Sequence, residues 1–202
     1  MEYFFYCRDR PGSMALRWEL AEDHWSFMDR YAAAMIARGP TLSDDESTAT
    51  GSMHIVDLPD AEAACEFAFD EPNYRAGVYG EVLVRRWRNL LGRTMWDFTG
   101  EVAGQSRFLI LGHGQPGMTA AHDQLRDEHR RYLTAGGFGD LLIAYGPLLS
   151  DDGSEWAGTA MLAELPGRAS AEAILADSPY SGAGLYDGIE VHRWQFGGRP
   201  QD

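Results

Sequence analysis

The sequence is poor in the features that mark secreted, membrane-bound or redox-active proteins. Its 202 residues include only two cysteines, Cys7 and Cys65, which form neither a metal-binding nor a redox motif. A single disulfide stays open on sequence grounds, but reduced thiols in a cytoplasmic protein are the simpler interpretation. No stretch approaches the ~20 apolar residues that cross a bilayer. The N-terminal MEYFFYCRDR lacks the basic start and cleavage site of a secretory signal. We therefore expect a cytoplasmic protein.

Positive charge is also scarce. Lysine and arginine total 17 against 31 aspartates and glutamates, which gives a formal net charge of −14. A phosphate polymer or an anionic membrane would be repelled over most of such a surface, so we expect neither as a partner. The acidic residues are spread along the chain and are typical of a solubilising surface. A small-molecule ligand or substrate stays open as the partner, as does another protein.

The chain contains an internal repeat. Residues 70–87 and 177–194 align without gaps at an offset of 107, with eight of eighteen positions identical, and residues 39–51 and 146–158 keep the same offset. Upstream the offset is 105 and pairs His24 with His129. The sequence thus predicts a tandem duplication. We place the first unit at residues 1–91, a linker at 92–106 and the second unit at 107–202. Because the linker contains Met95, Trp96 and Phe98, we expect it to pack on the body.

Each unit has the same pattern of elements. An aromatic strand precedes a helix with one apolar stripe, formed in the first unit by Leu16, Leu20, Phe27, Tyr31 and Met35. A Gly-Pro pair then ends the helix and opens an extended segment. In the first unit a further strand is predicted at 51–58, a helix at 61–69 and a last strand at 81–87. The corresponding elements of the second unit are predicted at 156–165, 170–176 and 188–196. The order β-α-β-β-α-β is that of a ferredoxin-like fold.

The last strands suggest how two such units associate. Val82 and Val84 share one strand face, as do Ile189 and Val191, and we expect this apolar face to be open in a single unit. The predicted class is therefore α+β, with two tandem ferredoxin-like units packed sheet to sheet as an intrachain pseudo-dimer. Further oligomerisation stays open.

A histidine and an aspartate recur in both units. His24 and His129 lie on the apolar stripe of the first helix, while Asp70 and Asp177 follow the second helix. Both helices lie on one sheet face in this fold, so each pair can meet. An aspartate that accepts an imidazole N–H fixes the tautomer and leaves the other nitrogen as a general base.

Structural roles remain as alternatives for these residues. A histidine on an apolar stripe is often a core residue, and an aspartate before a proline turn is often a cap. Tyr79 and Tyr186 either line a cavity near the aspartate or pack. His122 and His129 share a helix face, but no third ligand has metal spacing, so we expect no metal site.

The combined motifs resemble the YCII-related domain family. The residues that carry the resemblance are Arg17 seven positions before His24, then GPTLSDD, FDEPNYRAGVY and EVLVRRW. The second copy has His129, GPLLSDD, ADSPYSGAGLY and IEVHRW. The resemblance covers nearly the whole chain apart from the linker and the last few residues.

This resemblance implies a dimeric α/β-barrel type of ferredoxin-like fold and a His–Asp active site. One member of the family is a dehydrochlorinase of a chlorinated hydroxyquinol, and relatives of the superfamily include muconolactone isomerases. The sequence departs from the family pattern in three ways. The domains are fused, His122 replaces Arg17 in the second copy, and Glu71 and Ser178 interrupt the Asp-Pro step.

The sequence therefore predicts a cofactor-independent general acid–base enzyme that isomerises, eliminates from or cyclises a small enolisable or hydroxyaromatic metabolite. The alternative is a non-catalytic ligand-binding or protein-interaction module. The expected catalytic residues are His24, Asp70, His129 and Asp177. The expected substrate-binding residues are Arg17, Tyr79, His122 and Tyr186.

Overall fold

The computed structural model describes residues 1–100 and 102–199. Glu101 of the predicted linker and the last three residues of the predicted second unit lie outside the described residues. The chain forms two compact units. The first comprises residues 1–86 together with the segment from Trp194 onward, and the second comprises Trp87–Arg193. These boundaries differ from the predicted ones. The short segment after the last strand of the first copy belongs to the second unit, and the segment after the last strand of the second copy belongs to the first unit.

The first unit is a four-stranded antiparallel sheet with helices. Its elements are β1 (Glu2–Asp9), α1 (Met14–Glu19), α2 (Ala21–Asp29), β2 (Met35–Leu42), β3 (Ala49–Asp57), α3 (Ala61–Phe69), α4 (Pro72–Arg75) and β4 (Tyr79–Trp87). The pairings β1–β3, β1–β4 and β2–β3 give the spatial order β4-β1-β3-β2. This is the predicted ferredoxin-like arrangement.

The second unit repeats that arrangement. Its elements are β5 (Ser106–Gly114), α5 (Thr119–Ala135), β6 (Leu142–Leu149), β7 (Trp156–Leu165), α6 (Arg168–Ala176), α7 (Pro179–Gly182) and β8 (Tyr186–Trp194). Strand β5 pairs with β7 and β8, and β6 pairs with β7, so the order is β8-β5-β7-β6. The α+β class with two ferredoxin-like units is confirmed.

The first helical region differs from the predicted single helix. It breaks at Leu20 into α1 and α2, a 3-10 turn follows at Ala32–Ala34, and Met35 already begins β2. The apolar spacing continues through Tyr31 and Met35 because both side chains still pack on the same core. Helical spacing alone could not distinguish a continued helix from a turn that keeps its residues on one face.

Each sheet buries its helix-facing side in a separate core. In the first unit Tyr3 and Phe5 of β1 pack against Phe27 of α2 and Phe67 of α3. Val82 and Val84 of β4 pack on this same cluster, and Ile189 and Val191 pack on the corresponding cluster of the second unit. The expectation that these residues form an open face is therefore wrong, because each pair packs against the core beneath the helices of its own unit.

The described part of the predicted linker is anchored by two of the three apolar residues named above. Met95 and Phe98 are buried around a short 3-10 helix at Met95–Asp97, whereas half of the Trp96 surface is exposed. Thr94 caps this turn by a reciprocal pair of hydrogen bonds with Asp97.

Candidate functional site

A histidine and a glutamate form the centre of the first unit's site. His24 lies on α2, and its Nδ1 is 2.6 Å from Oε1 of Glu71. Glu71 precedes Pro72 as the N-cap of α4, where its Oε2 accepts the backbone N–H of Tyr74 at 2.9 Å. Proline favours the first turn of a helix and glutamate caps it, so the local sequence fixes the carboxylate in place. Both side chains are largely buried, at 13% and 4% exposure.

This contact defines which imidazole nitrogen is available for chemistry. A carboxylate accepts hydrogen bonds, so Nδ1 of His24 carries the hydrogen and donates to Glu71. The Nε2 atom is then the basic nitrogen of the neutral ring. His24 also lines a cavity. The arrangement is that of a general base oriented by a carboxylate.

The carboxylate that contacts His24 is Glu71 rather than the predicted Asp70. Asp70 is the C-cap of α3 and forms an ion pair at 2.6 Å with Arg75. Both partners of that pair are more than half exposed. Glu71, which interrupts the Asp-Pro step of the family pattern, therefore makes the contact with His24 that was predicted for Asp70.

Arg17 is held beside the histidine by a second set of hydrogen bonds. Its Nη1 donates to the two oxygens of Asp9 at 3.0 and 3.3 Å, and its Nη2 donates to Oγ of Ser52 at 2.7 Å. The Tyr79 hydroxyl donates to the same Ser52 oxygen and accepts from Asn73. A guanidinium has five N–H donors, so Arg17 keeps donors for a ligand. Arg17 lines the cavity as predicted, whereas Tyr79 is buried behind it.

Burial dominates the electrostatics of this region. It raises the pKa of Asp9 to about 6, although Arg17 opposes the shift. Burial also raises the pKa of Tyr79 and of the Cys7 thiol, and nearby Glu71 adds to both shifts. His54 has its pKa lowered by burial and then by His24 and the arginines, so its ring is neutral near pH 7. Cys7 and Cys65 are both free thiols.

The cavity beside His24 has a volume of about 310 Å³. This is within the range of sites for small organic ligands. Its polar lining includes Arg17, His24, Arg38, Ser52, His54 and Asn73, and its apolar lining includes Trp18, Trp25, Met28 and Phe196. One wall is the segment 195–198, which is joined to β2 by hydrogen bonds from Gln195 N to Pro40 O and from Gly197 N to Arg38 O.

The second unit does not form the predicted His–Asp pair. His129 is fully buried and stacks on the ring of Tyr180 at a centroid distance of 3.9 Å. Neither of its ring nitrogens has a hydrogen-bond partner within the described chain. Burial lowers the pKa of His129 to about 4. Asp177 is the exposed C-cap of α6.

The repeat register explains this difference. The positions of Asp9, Arg17, Glu71 and Asn73 are occupied in the second copy by Gly114, His122, Ser178 and Tyr180. Of the remaining predicted residues, Tyr186 donates to the hydroxyl of Thr159 at 2.8 Å and His122 stacks on Trp156. The two copies therefore share a fold but not a set of polar side chains.

Sequence reasoning missed Glu71, Asp9, Ser52 and His54 as site residues. A signal existed for Glu71, because a glutamate directly before a proline is a good start for a short helix. No comparable signal marked the others, since they meet Arg17 and His24 only through the pairing of β1 with β3.

In the described ranges, no group of three or more His, Cys, Asp or Glu side chains is placed to hold a metal ion. No helix in the part of the chain that the structure covers is both long and apolar enough to cross a membrane.

Known proteins resemble one copy or both. An uncharacterised protein of Haemophilus influenzae is 28% identical over 97 residues, which cover 45% of this chain and 99% of that protein. The dehydrochlorinase of 5-chloro-2-hydroxyhydroquinone from Burkholderia phenoliruptrix AC1100, solved with 2,5-dihydroxybenzoquinone, is 27% identical with a TM-score of 0.43. It covers 46% of this chain and 99% of its own.

A chlorite dismutase variant from Candidatus Nitrospira defluvii matches the fold over both copies. It covers 96% of this chain and 91% of its own, at 9% identity and a TM-score of 0.61. The sequence profile of the YCII-related domain matches this chain twice, at residues 1–88 and 106–195. The two matches together span most of the chain, and the protein therefore belongs to the YCII-related domain family.

Proposed function

We propose that the first unit is a general acid–base enzyme that acts on a small hydroxyaromatic or enolisable compound. The observation that carries this proposal is the buried His24–Glu71 pair at the edge of a cavity that also contains Arg17. A histidine oriented by a carboxylate, with a cation beside it, is suited to proton removal from an acidic O–H or C–H group.

The proposed step begins with proton transfer to Nε2 of His24. The electron pair of the broken O–H or C–H bond moves into the substrate's π-system and places negative charge on an oxygen. Arg17 and Arg38, which line the cavity, stabilise that oxyanion, while Glu71 stabilises the imidazolium. In an elimination a leaving group departs with its electron pair. In an isomerisation His24 returns the proton to a different carbon.

The composition of the chain supports this reaction class. The sequence contains no lysine, so a Schiff base with a carbonyl substrate is not available to it. The apolar part of the cavity includes Trp18 and Trp25, whose rings suit a flat substrate. A volume of about 310 Å³ favours a single substituted ring over a larger ligand.

The second unit repeats the fold without the His24–Glu71 pair, and we infer that it does not perform this step. At the position of His24, His129 has no carboxylate partner among the described residues, and its ring is enclosed and stacked on Tyr180. The alternative of a ligand-binding module thus has support in the second unit, and the enzyme proposal applies to the first.

The test compares the two histidines under identical conditions. The readouts are chloride release from 5-chloro-2-hydroxyhydroquinone and solvent deuterium incorporation into a panel of hydroxyquinols, hydroxyquinones and 1,3-diketones. We expect His24→Gln to reduce turnover at least 100-fold, the usual range for a general base. His129→Gln is the matched control and should retain most activity.

Glu71→Gln should lower kcat with less change in KM, because it removes the orientation and charge of the base but not the binding groups. Equal turnover in His24→Gln and the unmodified protein would refute the proposal. So would the lack of any exchange above buffer across the panel.

A further inference from the structure

The second unit has a cavity of its own. Its volume is about 650 Å³, roughly twice that of the first cavity. Helix α5, the segment 88–91, strand β6 and the start of β7 surround it. The residues used below are Arg88, His122, Arg126, Tyr145, Trp156 and Tyr180.

Aromatic rings form one wall of this cavity. The His122 ring lies nearly parallel to Trp156, at a centroid distance of 5.0 Å and an angle of 15°. The ring centroid of Tyr180 lies 5.1 Å from that of His122, and Tyr145 also lines the cavity. Burial lowers the pKa of His122, so this ring is neutral at pH 7 and serves as a flat surface. Such a wall suits a planar ring, which stacks on aromatic side chains.

Arginines surround the same cavity. Arg88, Arg126 and Arg130 line it, in a chain whose formal net charge is −14. Arg130 pairs with Asp127 at 3.1 Å, whereas Arg88 and Arg126 form no ion pair within the described ranges. One carboxylate, Asp123, also faces the cavity and contacts Nδ1 of His122 at 3.2 Å. The excess of guanidinium groups favours an anionic ligand.

The cavity differs from the first one in its polar groups. His129 lies behind the ring of Tyr180 rather than in the lining, and Ser178 stands where the first unit has Glu71. The histidine that does line it, His122, stacks on Trp156 and contacts Asp123, whose side chain is largely exposed. A ligand bound here would meet stacking surfaces and cations.

We propose that the cavity of the second unit is a binding site for a planar aromatic anion, such as a benzoate or a phenolate. The ring stacks on the wall of His122, Trp156 and Tyr180. The anionic group is bound by Arg126 and Arg88. The site is separate from the proposed active site, and its existence does not depend on activity in the first unit.

Isothermal titration calorimetry with 4-hydroxybenzoate tests this inference. We expect the affinity to fall about tenfold in Arg126→Gln, since a charge-assisted hydrogen bond is lost. Arg131→Gln is the matched control, because Arg131 is on the same helix but does not line the cavity. Arg17→Gln, in the first cavity, should leave unchanged the part of this binding that is lost in Arg126→Gln.

Two further measurements separate charge from stacking. The uncharged analogue 4-hydroxybenzyl alcohol should bind at least tenfold more weakly and should not respond to Arg126→Gln. Tyr180→Leu should weaken both ligands, with its melting temperature recorded to confirm that it folds. The inference is overturned if 4-hydroxybenzoate does not bind at millimolar concentration. It is also overturned if Arg126→Gln binds as tightly as the unmodified protein, or if Arg17→Gln alone removes binding.

Discussion

His24 and His129 occupy equivalent positions in the two copies, yet among the described residues only His24 of this pair has a carboxylate partner. The partner is Glu71 at 2.6 Å, and the corresponding residue in the second copy is Ser178. The same residue type on the same helix is therefore an oriented base in one unit and an enclosed aromatic ring in the other.

The hydrogen bond from Nδ1 of His24 should be visible by NMR. We expect the neutral ring of His24 to be the Nδ1–H tautomer, with a strongly downfield Nδ1–H resonance because the bond to Glu71 is short and charge-assisted. Glu71→Gln should shift this resonance upfield or remove it. Asp70→Asn is the adjacent control and should leave it in place. A resonance that responds to Asp70→Asn instead would contradict the assignment of Glu71 as the partner.

Asp9 should make the stability of the first unit depend on pH. Its pKa is raised from 3.8 to about 6, so between these values the folded protein holds a proton that the unfolded chain releases. The free energy of unfolding therefore falls as the pH rises from 4 to 6, by about 2–3 kcal/mol from this group. Denaturant titrations at pH 4, 5, 6 and 7 measure this slope.

Asp9→Asn provides the comparison, because the amide keeps the shape of the side chain but does not titrate. The difference in unfolding free energy between variant and unmodified protein should grow in the variant's favour as the pH rises from 4 to 6. A constant difference over that interval would show that Asp9 titrates normally.

His129 should make the free energy of unfolding depend on pH in the opposite direction. Its pKa is lowered to about 4, so the unfolded chain binds a proton between pH 6.5 and 4 that the folded protein does not bind. The contribution to stability is full above pH 6.5 and is lost as the pH falls, by about 2–3 kcal/mol. His129→Phe should remove this loss and extend stability to lower pH.

At pH 7 His129→Phe should also be at least as stable as the unmodified protein. Both ring nitrogens of His129 are buried without a partner in residues 1–100 and 102–199, and a buried unpaired polar group costs about 1–3 kcal/mol. Thermal unfolding at pH 7 and pH 5 is the measurement. A variant that melts well below the unmodified protein at pH 7 would indicate that the nitrogens make contacts that the structure does not contain.

Gly39 should be required for the wall of the first cavity. A Cβ atom at this position of β2 would fall on the carbonyl oxygen of Gln195 and lie 2.8 Å from Nε1 of Trp194. Gly39→Ala should therefore displace the segment 195–198 and cost about 1–3 kcal/mol of stability. It should also reduce turnover, because that segment lines the cavity.

Gly188→Ala is the control for Gly39→Ala. A Cβ at Gly188 of β8 has no neighbour within 4 Å, so this variant should melt within a degree or two of the unmodified protein. Similar losses in the two variants would mean that the close approach at Gly39 has no structural role.

Much of the fold could be predicted because the duplication presents each pattern twice. The strand β7 and the helix α3 have the predicted bounds, and the element order of both units is as expected. The sequence pattern indicates turns at the short helices α4 and α7, since a four-residue helix with proline at its start has the composition of a turn. The break at Leu20 was not predicted, because apolar spacing persists across it.

The site could be predicted only in part. His24 is predicted from its place on an apolar stripe in both copies and Arg17 from the family resemblance, and both line the cavity. The carboxylate was misplaced by one residue, because the turn between α3 and α4 directs Asp70 outward and Glu71 inward. Asp9 and Ser52 were not found, since sheet register brings them to Arg17 and nothing local to either residue indicates it.

The segment after β8 has a consequence for how the two cavities diverged. It lines the first cavity, and Arg199 at its end donates hydrogen bonds to Glu22 and Asp29 of α2. The corresponding segment 88–91 lines the second cavity. In an assembly of identical single domains, one codon specifies the same wall residue in every copy. Here the walls are encoded separately, as Gln195 and Gly197 in one case and Arg88 and Leu90 in the other. Fusion thus allows the two pockets of one chain to carry different wall residues.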